Sequence, residues 1–254
     1  MADLARDVAR PLAAKRVIVT GASRGIGRAI AIACAESGAV VGINFHRCED
    51  DAREVAGLIG EQAMLLRFDV RDATAVSAAV EAFERRVGGL DALVNNAGII
   101  RPSLLASMSD EDVDEVVGTN LLGTIFCTRA ALRPMIRQRC GVLLNVSSVA
   151  AERPVRGQSV YAATKGAIEA FTRAVAVEYG RRGIRSHCIQ PGPVDTDMMT
   201  ATKALAGDEI LQRVPLQRFV TAEEVAGLAV FLLSDSGRAI TGGTYTIDGG
   251  FVAG

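Results

Sequence analysis

The sequence lacks the charge pattern of a nucleic-acid-binding protein. Its 254 residues carry 28 lysines and arginines against 29 acidic residues, a net charge of −1. A chain this close to neutrality has no overall attraction for a polyanion. Its basic residues also form no stripe interleaved with aromatic side chains, which make up only 4% of the chain. We therefore expect no nucleic-acid partner.

Histidine and cysteine are too few and too scattered to predict a metal site. The two histidines, His46 and His187, are far apart in the sequence, and the five cysteines form no Cys-x-x-Cys pair or Cys/His ligand spacing. An odd number of scattered cysteines is typical of free thiols in a reducing compartment. The sequence thus predicts no metal and a cytoplasmic location.

Long apolar runs are absent as well, so we expect no membrane span. The first 15 residues, MADLARDVARPLAAK, carry charges every few residues and lack the apolar core of a signal peptide. Hydrophobic residues still make up 49% of the chain, and 254 residues fit one domain with one core. We predict an N-terminal extension at 1–14 and a single catalytic domain at 15–254.

The first chemical motif is a glycine-rich turn between a strand and a helix. Arg16–Thr20 is a β-branched run typical of a buried parallel strand, and it leads into Gly21–Gly27 (GASRGIG) and then RAIAIACAESG. Small residues at a helix N-terminus let backbone N–H groups approach a pyrophosphate. The pattern predicts a dinucleotide site; a tight strand-to-helix turn without a ligand is the alternative.

The next predicted strand, Ala39–Asn44, indicates which dinucleotide is bound. An NAD site carries Asp or Glu about 20 residues after the glycine turn, whereas this strand is followed by Phe45, His46 and Arg47. Together with Arg24 in the turn, Arg47 can bind a 2′-phosphate through two guanidinium groups. The sequence favours NADP(H) as cofactor; a solvated Arg47 is the alternative.

Strands and helices alternate along the rest of the chain. Helices are predicted at 50–59, 73–87, 110–138, 159–179 and 221–233, and strands at 63–68, 92–94, 142–145, 184–189 and 244–247. This alternation predicts an α/β fold with a parallel sheet and helices on both faces. Ligands should gather at the carboxyl ends of the strands, where Asp69 and Asn95–Gly98 lie. The poorly periodic segment near 193–214 is predicted as a substrate lid.

A second chemical motif follows the fifth strand. The stretch from 146 to 165 reads VSSVAAERPVRGQSVYAATK, and on a helix its Tyr161 and Lys165 share one face. An ammonium beside a phenol favours the ionised form, which a proton-exchanging tyrosine requires. One serine of the pair Ser147 and Ser148 can hydrogen-bond the same substrate oxygen. Taken alone, this spacing also fits a surface tyrosine with a solvated lysine.

The ordered motifs resemble those of the short-chain dehydrogenase/reductase family over about 15–250. The glycine turn matches the family's TGxxxGxG, residues 95–98 its NNAG, Tyr161 and Lys165 its YxxxK, and residues 191–192 its PG. The resemblance implies a single-domain Rossmann-type, doubly wound sheet of seven parallel strands. It also implies hydride transfer between a nicotinamide cofactor and a carbonyl or alcohol.

The resemblance also implies roles for individual residues. Tyr161 is the proton donor, Ser148 positions the carbonyl oxygen, Lys165 binds the nicotinamide ribose and Asn120 holds a water against the lysine, with Ser147 as a supporting neighbour. The expected cofactor-binding residues are Gly21, Ser23, Arg24, Gly25, Ile26, Gly27, Arg47, Asp69, Val70, Asn96, Ala97, Gly98, Tyr161, Lys165, Pro191, Gly192, Val194 and Thr196.

Within that family the chain is most similar to β-ketoacyl-acyl-carrier-protein reductases. Arg139 and Arg182 fall where that subfamily places basic residues for the acidic carrier protein; the alternative is that they are solvated residues at helix ends. Gln217 replaces a glycine common in its segment. We expect NADPH-dependent reduction of a 3-oxoacyl thioester in fatty-acid or polyketide assembly by a homotetramer. The alternatives are the same reaction on a free small ketone, sugar or polycyclic substrate, and a non-catalytic NADP-binding regulatory protein.

Overall fold

The computed structural model describes residues 10–196 and 207–254. Strands and helices alternate through them as predicted. The strands are β1 Arg16–Val19, β2 Val40–Phe45, β3 Ala63–Arg67, β4 Ala92–Asn95, β5 Gly141–Val146, β6 Ile184–Pro191 and β7 Thr244–Ile247. The α-helices are α1 Gly25–Glu36, α2 Glu49–Ile59, α3 Ala73–Val87, α4 Asp110–Val117, α5 Gly123–Gln138, α6 Ser159–Tyr179 and α7 Ala222–Leu233. Residues 207–212 are also helical.

The strands of the described residues form one seven-stranded sheet in the order β3-β2-β1-β4-β5-β6-β7. Every neighbouring pair is parallel, which confirms the predicted doubly wound fold. The strand order reverses between β1 and β4. In such sheets ligands bind at this switch point, beyond the carboxyl ends of the strands.

Both faces of the sheet are covered, because consecutive residues of a strand point to opposite sides. In β1, Val17 and Val19 join a core with α1, α2 and α7. Ile18 joins a second core with α3, α5 and α6. Burial on both faces explains why β1, β4 and β5 read as mainly apolar runs without polar alternation.

The packed part of the chain begins before residue 15. Leu12 is fully buried, and its N–H donates to the carbonyl oxygen of Ser37, just after α1, at 3.0 Å. Residues 10–14 of the predicted extension therefore belong to the domain. Residues 1–9 lie outside the described part of the chain.

The region predicted as one helix from 110 to 138 is divided in two. A π-helical turn at Gly118–Leu122 separates α4 from α5. This wider turn carries Asn120 into the interior, where it is fully buried. Gly123 allows the close approach, since a Cβ there would lie 2.7 Å from Cγ2 of Val70. Apolar periodicity does not reveal such a turn, because the residue types around it are ordinary for a helix.

Side chains cap the N-termini of α4 and α7. Ser109 accepts from the Asp112 N–H at 3.1 Å and so begins α4. Thr221 and Glu224 form the capping box of α7. Within the described residues, no helix is both long and apolar enough to cross a membrane. In the same part of the chain, no three His, Cys, Asp or Glu side chains are placed to hold a metal ion.

Candidate active site

The predicted site residues meet at the switch point of the sheet. The glycine turn follows β1, Asn96 follows β4, Ser148 follows β5, and Pro191 ends β6. These are the carboxyl ends of adjacent parallel strands, so residues distant in sequence come together on the carboxyl-terminal side of the sheet.

The glycine turn presents free backbone N–H groups. Gly21 and Gly25 adopt φ of 61° and 56°, a region that favours glycine. A Cβ at Gly27 would lie only 2.3 Å from the carbonyl oxygen of Gly21, so the turn folds tightly onto α1. No side chain caps the N-terminus of α1. Its first N–H groups are therefore available to an anion such as a pyrophosphate.

Two buried side chains that the sequence analysis did not select hold this turn in place. Thr20 Oγ1 accepts from the N–H groups of Asn96 and Ala97, both at 3.0 Å. Asn44 Oδ1 accepts from the Gly21 N–H at 3.0 Å. Their polar character inside otherwise apolar strand ends is the signal that could have revealed them, because buried polar groups are normally hydrogen-bonded.

Asn96 closes the turn from the β4 side. Its Nδ2 donates to the carbonyl oxygens of Thr20 at 2.9 Å and Gly21 at 3.1 Å. A Cβ on Gly21 would lie 3.0 Å from Cα of Ala97. The two predicted motifs TGxxxGxG and NNAG are thus one packed unit.

The two arginines predicted to bind a 2′-phosphate have free guanidinium groups. Arg24 and Arg47 are both exposed. Neither guanidinium has a hydrogen bond or ion pair within the described residues. Arg24 lies directly before α1, and Arg47 follows the end of β2, the strand next to β1. By contrast, Arg28 on α1 is paired with Glu54 at 2.9 Å.

Asp69, another predicted cofactor residue, is held by a neighbour. Arg71 Nη2 donates to its Oδ2 at 2.7 Å. Hydrogen bonds from Arg71 lower the pKa of Asp69 despite the opposing effect of desolvation, which is the largest single influence. Asp69 therefore shapes the end of β3 as an ion pair, with Val70 buried beside it.

Tyr161 and Lys165 lie on the first turns of α6. The Lys165 side chain is buried, and its Nζ donates to the carbonyl oxygen of Val146, at the end of β5, at 2.8 Å. The same Nζ is 5.5 Å from the centre of the Tyr161 ring. An ammonium has three donors, so two remain for a ligand.

The two serines of the pair have different surroundings. Ser148 begins a 3₁₀ turn, and its Oγ accepts from the Ala150 N–H at 3.2 Å, which leaves its own proton available. Ser147 Oγ faces α6 instead, 2.8 Å from Glu169 Oε1. Ser148 can thus donate to a substrate oxygen, while Ser147 links β5 to α6.

Asn120 lies close to Lys165 but its side chain is occupied. Its Oδ1 accepts from the Ile99 N–H at 2.8 Å, and its Nδ2 donates to the Ile99 carbonyl at 3.0 Å. A Cβ on Gly98 would lie 3.3 Å from Asn120 Oδ1 and 3.6 Å from Lys165 Nζ. Asn120 therefore holds the loop after β4 close to the ammonium group of Lys165.

The PG segment returns the chain to the glycine turn. The Gly192 N–H donates to the Ile247 carbonyl at 2.9 Å, and Val194 forms a β-bridge with Val220. Thr196 Cγ2 lies 3.7 Å from the position of a Cβ on Gly25. Thr196 thus reaches the glycine turn at Gly25. Ten of the 22 residues of the predicted lid at 193–214, residues 197–206, lie outside the described residues.

Arg139 and Arg182 lie together at the amino-terminal ends of the strands, on the opposite side of the sheet from the predicted site. A Cβ on Gly183 would lie 2.3 Å from the Arg139 carbonyl oxygen, so the two backbones touch. Arg139 precedes β5 and Ser148 follows it. The six residues of β5 alone span about 20 Å. The basic pair is therefore well separated from Ser148 of its own chain.

The chain is similar to known proteins over nearly its whole length. A family model described as Enoyl-(Acyl carrier protein) reductase matches residues 21–252. The 3-oxoacyl-acyl-carrier-protein reductase FabG of Chlamydia muridarum is 42% identical over 239 residues, 93% of this chain and 96% of that protein. A solved short chain dehydrogenase from Burkholderia cenocepacia in complex with NADP is 37% identical with a TM-score of 0.87, covering 94% and 98% of the two chains.

The chain belongs to the short-chain dehydrogenase/reductase family. The family resemblance drawn from the motifs is thereby confirmed, and the chain is an oxidoreductase. Another short-chain dehydrogenase/reductase relative is a gluconate 5-dehydrogenase from Burkholderia cenocepacia, solved in complex with NADP and tartrate. It is 34% identical with a TM-score of 0.92, and the match covers 97% of this chain and 99% of that one.

Proposed function

We propose that this chain reduces the 3-oxo group of an acyl thioester to a secondary alcohol, with NADPH as the reductant. The observation that carries the proposal is the position of Lys165. Its ammonium lies beside the Tyr161 ring and retains two free donors. It lies at the carboxyl ends of the strands, as the glycine turn does. The thioester as substrate class is supported by relatives named 3-oxoacyl-acyl-carrier-protein reductase.

The residues at the switch point fit the cofactor. The uncapped N-terminus of α1 suits the pyrophosphate, the free guanidinium groups of Arg24 and Arg47 suit a 2′-phosphate, and the free Lys165 protons suit the nicotinamide ribose hydroxyls. When bound, NADPH supplies the hydride.

The chain's own residues handle the proton and the substrate oxygen. Ser148 donates a hydrogen bond to the carbonyl oxygen and so polarises it. Tyr161 donates its proton to the same oxygen as the alcohol forms. Lys165 stabilises the negative charge that this leaves on the phenol oxygen. General acid catalysis of this kind contributes roughly 10²–10⁴-fold.

The basic pair supports a carrier protein as the other half of the substrate. Arg139 and Arg182 are exposed and lie at the other end of the strands from Ser148 of their own chain, so we propose that they serve the active site of another copy in a homotetramer. If two copies associate antiparallel through α5 and α6, the amino-terminal strand ends of one copy lie next to the carboxyl strand ends of the other. Val177 on α6 is 84% exposed, and so offers apolar surface for it.

A second candidate is oxidation or reduction of a free polyhydroxy acid or sugar. It is favoured by the similarity to the gluconate 5-dehydrogenase over nearly the whole of both chains. Both candidates use the same Ser148, Tyr161 and Lys165, and they differ in what the segment near 193–214 must cover.

The experiment is a substrate comparison that follows NADPH by its absorbance, which falls as a 3-oxo substrate is reduced and rises as gluconate is oxidised with NADP⁺. We expect a higher kcat/KM for acetoacetyl-acyl-carrier-protein than for the same acetoacetyl group on a small thiol, and little turnover of gluconate with NADP. Equal rates on the two thioesters would contradict the carrier-protein assignment. Preference for gluconate would favour the second candidate, and NADPH binding without any turnover would favour a regulatory protein.

A further inference from the structure

Glu169 connects the ends of two strands that carry active-site residues. Its Oε1 accepts from Ser147 Oγ at 2.8 Å and from Gln190 Nε2 at 3.0 Å. Ser147 directly precedes Ser148, and Gln190 directly precedes Pro191 and Gly192. One carboxylate on α6 therefore binds the residue before the serine and the residue before the PG segment.

The same carboxylate lies one helical turn beyond Lys165. Residues four apart share a helix face, and Ser147 Oγ also lies 3.1 Å from the Lys165 carbonyl oxygen. Lys165 in turn donates to Val146, the neighbour of Ser147. The end of β5 and the start of α6 are thus joined by the side chains of Ser147, Lys165 and Glu169.

The charge of Glu169 is not neutralised by a cation. The carboxylate is partly buried and has no ion pair within residues 10–196 and 207–254. Its field reaches β6, where the pKa of the Cys188 thiol is raised to about 12 by burial first and by Glu169 second. A partly buried carboxylate without a cation costs stability. Hydrogen bonds to an ionised acceptor are also the stronger kind, which suits a positioning role.

We propose that Glu169 is a positioning residue that holds Ser148 in its reactive place through Ser147. This inference rests on the proposed function, because it assigns Ser148 the role of polarising the carbonyl. Gln190 retains other anchors without Glu169, since its Oε1 accepts from Thr246 at 2.8 Å and its Nε2 donates to Glu152 at 3.3 Å. Within the described residues, Glu169 is the one side chain of α6 that binds Ser147 Oγ, whose other partner on this helix is the Lys165 backbone carbonyl oxygen at 3.1 Å. The loss of Glu169 therefore removes the shorter of the two hydrogen bonds that join Ser147 to α6.

The glutamine variant separates geometry from charge. Glu169 Oε2 takes no hydrogen bond within the described residues, so an amide nitrogen can occupy its place while Oε1 keeps both donors. Glu169→Gln should retain kcat within about threefold. Glu169→Ala should lower kcat about ten- to hundred-fold, as expected for a misplaced catalytic group, with the Kd for NADPH nearly unchanged. Glu178→Ala, an exposed change on the same helix, is the matched control.

A double-mutant cycle tests the route through Ser147. Ser147→Ala should lower kcat to a similar extent, and the combined Ser147→Ala and Glu169→Ala variant should lose little more than either alone. Additive losses, or wild-type kcat in Glu169→Ala, would overturn the inference. A general loss of folded protein would lower NADPH binding in parallel with kcat and is thereby distinguished.

Crystal structures of the variants test the inference without turnover. We expect Ser148 Oγ to be displaced in Glu169→Ala and to keep its place in Glu169→Gln. An unmoved Ser148 in Glu169→Ala would overturn the inference even if the wild-type chain reduced no carbonyl compound. If the wild-type protein is inactive but Ser148 is displaced in Glu169→Ala, the result would instead contradict the proposed function alone.

Discussion

The ammonium nitrogen of Lys165 lies 5.5 Å from the centre of the Tyr161 ring. The Val146 carbonyl fixes it there through a 2.8 Å hydrogen bond. The cation is therefore placed beside the phenol before any ligand arrives. Electrostatic groups that are already in position need no reorganisation during the reaction, and this is why such groups are effective in catalysis.

Removal of the Tyr161 hydroxyl tests the proton-donor role. Tyr161→Phe should lower kcat at least about 10²-fold, because no other group on this helix face replaces the proton. The Kd for NADPH, measured by fluorescence titration, should change little. Tyr179→Phe on the same helix is the control and should keep full activity. A Tyr161→Phe enzyme with wild-type kcat would refute the assignment.

Arg24 and Arg47 should determine the choice of cofactor. Combining Arg24→Ala with Arg47→Asp should lower the ratio of kcat/KM for NADPH to that for NADH at least about 100-fold, or roughly 2.7 kcal/mol, because two charge-assisted contacts to the 2′-phosphate are lost. Arg28→Ala is the control, since this arginine is paired with Glu54. An unchanged ratio would exclude both arginines from the 2′-phosphate site.

Charge reversal at Arg139 and Arg182 tests the proposed contact with a carrier protein. The Arg139→Glu and Arg182→Glu double variant should raise KM for acetoacetyl-acyl-carrier-protein about tenfold or more, because an acidic partner then meets acidic residues. KM for the small-thiol substrate should stay constant. Arg86→Glu, an exposed change at the end of α3, should alter neither value. Equal effects on both substrates would contradict the contact.

His187 should make the fold sensitive to mild acid. Burial, reinforced by Arg185, lowers the pKa of His187 to about 4 from its ordinary 6.5. The unfolded chain then binds a proton at higher pH than the folded chain does. Stability is complete above the unfolded pKa and falls as the pH drops toward the folded one, by about 2 kcal/mol between pH 7 and pH 5.

Urea unfolding at these two pH values measures this dependence. Arg185 Nη1 donates to His187 Nε2 at 2.7 Å, so the neutral ring carries its proton on Nδ1. In His187→Gln the amide oxygen can still accept from Arg185, and most of the pH dependence should disappear. His46→Asn, a change at an exposed histidine, should leave it intact. Equal slopes for wild type and His187→Gln would contradict the prediction.

The sequence predicted the order of the elements well because the strands are buried on both faces. Val17, Ile18 and Val19 form an unbroken apolar run, and six of the seven described strands are followed directly by a glycine or a polar residue. Each motif is also a short, continuous stretch of sequence. The strand that it follows could therefore be assigned without knowing any long-range contact.

The supporting residues could not be predicted in the same way. Thr20, Asn44 and Glu169 act through partners more than 20 residues away, and nothing in their immediate sequence names those partners. Asn120 was selected through the family resemblance alone, and its inward position depends on a change of helix type. Long-range hydrogen bonds of this kind become visible only once the sheet has brought its strand ends together.

The π-helical turn at Gly118–Leu122 has a consequence for the length of the chain. A π-helical turn holds one residue more than an α-helical turn covering the same rise, so the segment from α4 to α5 carries a surplus residue. Deleting one residue between Gly118 and Leu122 would let a regular α-helix form and would rotate Asn120 away from Ile99. This part of the chain should therefore tolerate substitutions on its outer face far better than it tolerates a change of length.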